Sequence, residues 1–516
     1  MSKWFNIAGP CKADIHYMLP PLDRLPKLER LIEQQGYFVF HAPRQTGKTT
    51  AMIALAKQLT DSGNYAAVML SVEVGAAFPN DIGMAERAIL GSWRFATEYR
   101  LPDELQPPAW PDAEDGQQIQ AALRHWSKTA SRPLALFIDE IDSLRDSTLI
   151  SVLRQLRSGY PNRPDGFPHS LALIGVRDVR DYKLAAGGSE RLNTSSPFNI
   201  KLASITMRNF TSAEVAQLYD RHTAETEQIF DVSAINKAFA LTQGQPWLVN
   251  ALAKEVVEEV VSDRTQTITS EHIEIAKEIL IKRQDTHLDS LVSLLREDRV
   301  RSVIEPILAG QGLDNIAIDD IQFLIDLGLC RSSEAGGVVI ANPIYREVIP
   351  RVLAQVPQAS LPQISPTWLT AEGALDSQRL LEAFLAFWQQ HGELLLKSAP
   401  YHEIAPHLVM MAFLHRVANG GGTLERAYAI GSGRMDLCLR YGEVVLGMEL
   451  KVWREGKADP LEAGLVQLDR YLAGLGLESG WLVIFDRRGG LVPIAERTRI
   501  EVAQTASGRE VQVIRG

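Results

Sequence analysis

His41-Ala42-Pro43-Arg44-Gln45-Thr46-Gly47-Lys48-Thr49-Thr50 decides the fold of the 516-residue chain. An apolar run, Tyr37-Phe38-Val39-Phe40, precedes it, and a helix-like run, Ala51-Met52-Ile53-Ala54-Leu55-Ala56, follows. Strand, loop and helix in that order form the setting of a phosphate-cradling loop. Backbone amides turn inward on the phosphates, and the helix N-terminus adds positive potential. Pro43, Arg44, Gln45, Thr46, Gly47, Lys48, Thr49 and Thr50 are the expected nucleotide-binding residues. Lys48 would reach the β- and γ-phosphates, and the Thr49 hydroxyl would ligate Mg²⁺. Ala42 stands where such loops usually have their first glycine, which still keeps side-chain bulk low.

A second stretch supports the first. Leu134-Ala135-Leu136-Phe137-Ile138 is the continuous apolar run of a strand buried on both faces of a parallel sheet. It ends in Asp139-Glu140, at the sheet edge where α/β folds bind ligands. Asp139 is expected on the metal, and Glu140 is the expected catalytic residue that orients or deprotonates the attacking water. Ser170 to Val176 is a further buried-type strand, and Arg177 after it is a candidate sensor of the terminal phosphate.

The bulk properties narrow the classes. The length suggests about three or four domains. A formal net charge of −10 excludes a global electrostatic pull toward nucleic acid, so any such contact needs a local basic patch. The three cysteines, Cys11, Cys330 and Cys438, show no metal spacing and suit a reducing, cytoplasmic setting. No apolar run is long enough to span a bilayer, so no membrane role is expected. Before the loop, turn residues mixed with large apolar ones (Asn6 to Pro10, His16 to Leu22) suit an irregular segment lying on the core, either cupping a base or acting as a packing strap.

Thr211-Ser212-Ala213-Glu214 is a capping box that opens a helical region reaching about Lys282. Inside it, Gly244-Gln245-Pro246 makes a sharp turn with Pro246 in the first turn of the next helix. With these three signals in place, residues 1 to about 283 resemble the STAND-type branch of the AAA-related P-loop ATPases. The resemblance implies ATP as cofactor, Pro246 beside it, and a lid and winged helix that act as a nucleotide-controlled switch. Residues 284 to 356 fit that winged helix, but Asp319, Asp320 and Asp326 on its groove-facing helix favour packing over DNA reading.

Beyond a Pro- and Ser-rich linker the alternation changes. Gly433 to Arg440 and Val444 to Val452 form a hairpin around Gly442-Glu443, so Tyr441 pairs with Val444 and Asp436 falls opposite Glu449. Arg434 would then face Lys451. Glu449 and Lys451 share a face with Asp436, and Leu437, Leu439, Val444, Leu446, Met448, Leu450 and Val452 would form the core face. Opposed carboxylates repel unless a divalent cation lies between them. Gln467 and Tyr471 share a face of the following helix. This pattern resembles the PD-(D/E)XK nuclease superfamily over residues 376 to about 490, although Met435 replaces the family proline before Asp436. The resemblance implies Asp436, Glu449 and a helical Glu403 as ligands of Mg²⁺ or Mn²⁺, with Glu449, Lys451 and Gln467 catalytic. Arg454, Lys457, Arg470, Arg487, Arg488, Arg497 and Arg499 would supply the phosphate-binding surface.

The expected architecture is α/β, with a P-loop parallel-sheet ATPase core (1–203), an α-helical lid (204–283), a winged helix (284–356), a linker (357–375) and a restriction-endonuclease-like α/β domain (376–516). The expected function is an ATP-controlled nuclease acting on nucleic acid, DNA before RNA, in a prokaryotic defence or mobile-element setting. Assembly into homo-oligomers on ATP binding and a protein or nucleic-acid trigger are further expectations. The alternative is a signalling or translocating ATPase whose C-terminal domain only binds nucleic acid or a protein partner; the ring-forming version needs an arginine finger, which the sequence does not identify.

Overall fold

The computed structural model describes residues 3–177, 198–283, 293–308, 312–313, 316–334, 336–360, 366–398, 404–426 and 436–516. The chain falls into two compact units, Met1–Gln284 with Gln322–Cys330, and Asp285–Ile321 with Arg331–Gly516.

In the first unit, after a short helix α1 (Leu28–Glu33), come β1 (Tyr37–His41), α2 (Lys48–Asp61), β2 (Ala66–Ser71), α3 (Ile82–Arg100), α4 (Gln118–Thr129), β3 (Leu134–Asp139), α5 (Asp146–Gly159), β4 (Ser170–Gly175) and β5 (Ala203–Thr206). The strands make a parallel five-stranded sheet in the order β2-β3-β4-β1-β5. Alternate strand residues feed opposite cores. Val39, Val68, Leu136 and Leu171 pack with Trp93, Leu123, Trp126 and Leu153. Phe38, Phe40, Phe137 and Ile174 pack with Ile32, Met52 and Leu55 on the other side. Burial on both faces is why these strands are uninterrupted apolar runs. β5 lies across the boundary expected at residue 203 and belongs to the sheet. Its inside-outside alternation marks a half-covered edge strand, a weaker signal than the other runs.

The helices α6 (Ser212–Thr226), α7 (Val232–Thr242), α8 (Pro246–Glu255) and α9 (Ser270–Arg283) form the expected helical region. The capping box is present: the Glu214 amide donates to Thr211 Oγ1 (3.2 Å), and the Thr211 amide donates to Glu214 Oε2 (2.7 Å). Thr211→Ala is expected to cost about 1 kcal/mol of stability, checked by urea unfolding. The Arg208 guanidinium donating to Glu214 lowers its carboxyl to about 2. A depressed folded-state pKa stabilises above the unfolded value, so this contribution is present above about pH 4.5 and fades as the pH falls toward 2.

Next come α10 (Asp298–Leu308), α11 (Ile318–Asp326) and a two-stranded sheet of β6 (Cys330–Ser332) and β7 (Val338–Ile340), over a stretch that is divided between the two units. α12 (Pro343–Ser360) carries helix through Pro357, where the sequence marks a linker. It packs on α14 (Ala405–Ala418). With α13 (Ser377–Ser398), β8 (Gly422–Arg426), β9 (Asp436–Tyr441), β10 (Val444–Trp453), α15 (Leu461–Leu475), β11 (Ser479–Asp486), α16 (Ile494–Arg497), β12 (Arg499–Gln504) and β13 (Glu510–Arg515), these complete the second unit. Its six-stranded sheet runs β12-β13-β11-β10-β9-β8, with β10, β11 and β13 mutually parallel.

Candidate functional site

β1 ends at His41, and the chain turns through Gln45 (φ 58°) and Gly47 (φ 96°) into α2. Both residues take left-handed backbone, which the glycine adopts without strain. The Lys48 ammonium folds back on the loop, donating to the carbonyls of Ala42 (2.8 Å) and Pro43 (2.9 Å). Arg24 braces the loop through the Thr46 carbonyl (3.0 Å) and lines the same cavity. Thr49 Oγ1 donates to Asp139 Oδ2 (3.0 Å), so the expected Thr49–Asp139 pair does meet. Burial lowers the pKa of Lys48 and raises that of Asp139. Glu140 is held at φ 58°, a sparsely populated conformation for a residue with a side chain. Burial, then the neighbouring Asp139 carboxylate, raises its pKa.

These groups line a cavity of about 480 Å³. Arg44, Gln45, Thr46, Gly47, Lys48, Thr49, Thr50, Asp139, Glu140 and Pro246 all contribute to its wall. Pro43 serves through its carbonyl instead. Arg177 is not among the lining residues; its guanidinium lies over the Phe323 ring, 4.7 Å from the centroid. The N-terminal segment lines the same cavity with Asn6, Ile7, Pro10, Cys11, Met18 and Leu19. It is tied to α2 by the Cys11 amide on Thr50 Oγ1 (3.0 Å) and to α8 by Trp247 Nε1 on the Ile7 carbonyl (2.8 Å). Gly244 (φ 70°) makes the expected turn, and an added Cβ there would lie 1.9 Å from the Phe210 carbonyl oxygen. Glu73, Asp142, Trp247 and Asn250 also line the cavity and were not anticipated. The helical spacing of Trp247 and Asn250 after Pro246 is a signal that could have found the latter two.

In the second unit the hairpin register is as expected, with Tyr441 opposite Val444 and Asp436 opposite Glu449. Glu449 is fully buried and Lys451 nearly so. The Lys451 ammonium donates to Glu449 Oε1 and to Gln467 Oε1 on α15. Gly447 leaves room for Tyr471 and Leu472 of α15 to lie directly on β10. The expected core face is buried, and the Glu449 face is covered as well. Leu468, Tyr471 and Leu472 of α15 pack with Cys438 of β9 on the Glu449 face, while Leu437, Leu439, Leu446 and Met448 are buried on the opposite face. Both faces are covered because β10 and β11 are parallel strands inside an α/β layer.

Glu403, Arg434 and the Asp436 side chain lie outside the described residues. Among the described residues, no group of three or more His, Cys, Asp or Glu is arranged to hold a metal ion. The expected basic surface is partly neutralised: Arg488 pairs with Asp486 (2.7 Å) and lies over the Trp453 ring, and Arg499 pairs with Glu501 (2.8 Å). Among the described residues, no helix is long and apolar enough to cross a membrane.

No curated protein matches this sequence. Among solved structures, the chain is similar to the Walker-type ATPase of Pyrococcus abyssi, with 12% identity, a TM-score of 0.46 and coverage of 66% of this chain and 98% of that one. It is also similar to the RuvB Holliday junction branch migration motor of Thermotoga maritima, with 15% identity, a TM-score of 0.34 and coverage of 63% and 91%. A family model described as an AAA-like domain matches residues 20–348, the stretch that holds the phosphate-binding loop, Asp139-Glu140 and the helical region. The chain thus belongs to the AAA-like domain family, and its first unit is a P-loop ATPase.

Proposed function

We propose that the chain is a nuclease under the control of its own ATPase, cleaving nucleic-acid phosphodiesters, DNA before RNA, in its C-terminal unit. The observation that carries this reading is the convergence of Glu449 and Lys451 from β10 with Gln467 from α15, on a hairpin whose register sets Asp436 opposite Glu449.

At the nucleotide site, the Thr49 hydroxyl and Asp139 carboxylate offer hard oxygen donors within hydrogen-bond distance, a set that fits Mg²⁺. Glu140 lines the cavity with its pKa raised by burial, and would orient or deprotonate water attacking the terminal phosphate. In the nuclease unit, Glu449 and Asp436, with Glu403 as the further ligand implied by the family resemblance, would hold Mg²⁺ or Mn²⁺. When bound, the cation supplies Lewis-acid polarisation of the scissile phosphate. Gln467 fixes the Lys451 ammonium, which stabilises charge developing on the phosphoryl oxygens. The STAND-type resemblance supports a switch in which nucleotide binding changes the lid and releases or aligns the nuclease, with assembly into oligomers as one route.

The pairing of Arg488 and Arg499 with acidic neighbours favours one alternative, a signalling ATPase whose C-terminal unit binds a protein partner without cutting. Incubating linear, circular and single-stranded DNA and RNA with Mg²⁺ or Mn²⁺ separates the two. Cutting that Glu449→Gln abolishes supports the nuclease; ATP turnover with every substrate left intact supports the alternative.

A further inference from the structure

The helix α3 carries two apolar stripes, and only one of them meets the core. Ile89, Leu90 and Trp93 point inward and pack in the core of the ATPase unit. On the opposite side Met84, Ala88, Gly91, Phe95 and Tyr99 recur at helical spacing, which sets them on one line along the helix. This second stripe is open to solvent: Met84 is 42% exposed, Phe95 74% and Tyr99 89%. Large rings exposed together on one helix face mark an interaction surface, and aromatic side chains are the usual anchors of one. Beside the rings the stripe is indented. A Cβ added at Gly91 would meet nothing within 4 Å, and Ala88, one turn earlier, is small as well.

Ring and dent fit each other when the helix meets a copy of itself running the opposite way. With a two-fold axis passing between Gly91 and Phe95, Phe95 of each copy enters the dent at Gly91 of the other. The symmetry makes that contact twice. Charge selects the same arrangement. Arg87 and Glu98 lie on one flank of the stripe, and both are exposed. Antiparallel pairing about this axis brings Arg87 of each copy level with Glu98 and Tyr99 of the other, an opposite charge and an aromatic face. A parallel pair would instead set Arg87 against Arg87 and Glu98 against Glu98. The present partner of Arg87, Asp115 at 3.0 Å, forms an exposed ion pair of the kind that is readily exchanged.

We propose that the outer stripe of α3 is a self-association surface through which two copies of the chain form an antiparallel, two-fold dimer that needs no nucleotide. The proposal does not rest on the chemistry of either unit. A single helix pair falls short of the roughly 800 Å² per partner of a standard stable interface, so the dimer is weak and depends on concentration.

Sedimentation equilibrium of the full chain, with and without ATP, tests it. The wild type is expected to dimerise with a dissociation constant on the order of 10 µM in both conditions. Phe95→Lys is expected to weaken association by about tenfold or more. Gly91→Gln fills the dent with a better helix former at a position open in the single chain. It is expected to keep or raise the melting temperature while weakening association by about tenfold or more. Arg87→Glu and Glu98→Arg are each expected to weaken association by about threefold, and the double variant to return it to within about twofold of wild type. A wild type that stays monomeric up to about 500 µM would overturn the proposal and leave this face to a different macromolecule. Association that Phe95→Lys and Gly91→Gln leave unchanged, or that appears only with ATP, would assign assembly to another surface and overturn it too.

Discussion

Lys48→Ala is expected to lower ATP turnover by roughly a hundredfold or more while leaving the fold intact. The ammonium is half-buried and held by the Ala42 and Pro43 carbonyls, so it is positioned before any ligand arrives. Burial disfavours its charged form, and a bound phosphate chain would restore the balance by bringing negative charge to it. Alanine at this position is a good residue for the first turn of α2, so the helix should persist. A phosphate-release assay alongside a thermal melt distinguishes loss of chemistry from loss of fold. Turnover within about threefold of wild type would show that Lys48 makes no charge-stabilising contact in the transition state.

Lys451→Ala is expected to remove nucleic-acid cleavage and to destabilise the second unit. Glu449 is fully buried beside this ammonium, and stripping one partner from a buried ion pair typically costs about 3–5 kcal/mol. Stability and catalysis therefore need separating. The double variant Glu449→Gln with Lys451→Met exchanges the charges for neutral groups of similar size and is expected to recover most of the lost stability, because apolar or neutral replacement of buried pairs is often tolerated. It should recover no cleavage. Recovery of cutting with stability would assign the pair to structure alone.

The strands of the ATPase core were legible because burial on both faces leaves apolar runs such as Leu134–Ile138 with no polar interruption. The hairpin register was legible for a different reason: a two-residue loop fixes every pair beyond it, and Asp436 opposite Glu449 follows. The order of the parallel strands left no local trace, since β4 reaches its place between β1 and β3 by a crossover that the sequence does not mark. β5 was missed because an edge strand alternates and is short. The covering of the Glu449 face was missed because its signal is spread between β10 and α15, where Gly447 admits Tyr471. At the nucleotide site the loop and strand-end residues were readable from their own motif.

The central claim is that the ATPase unit governs cutting by the C-terminal unit, and the most direct test is one cleavage assay run on wild type and Lys48→Ala, each with Mg²⁺ or Mn²⁺ and with or without ATP. The account predicts that ATP changes the wild-type cleavage rate by tenfold or more, about 1.4 kcal/mol of coupling, and that this response disappears in Lys48→Ala. Cleavage at the same rate in both proteins, indifferent to ATP, would contradict it.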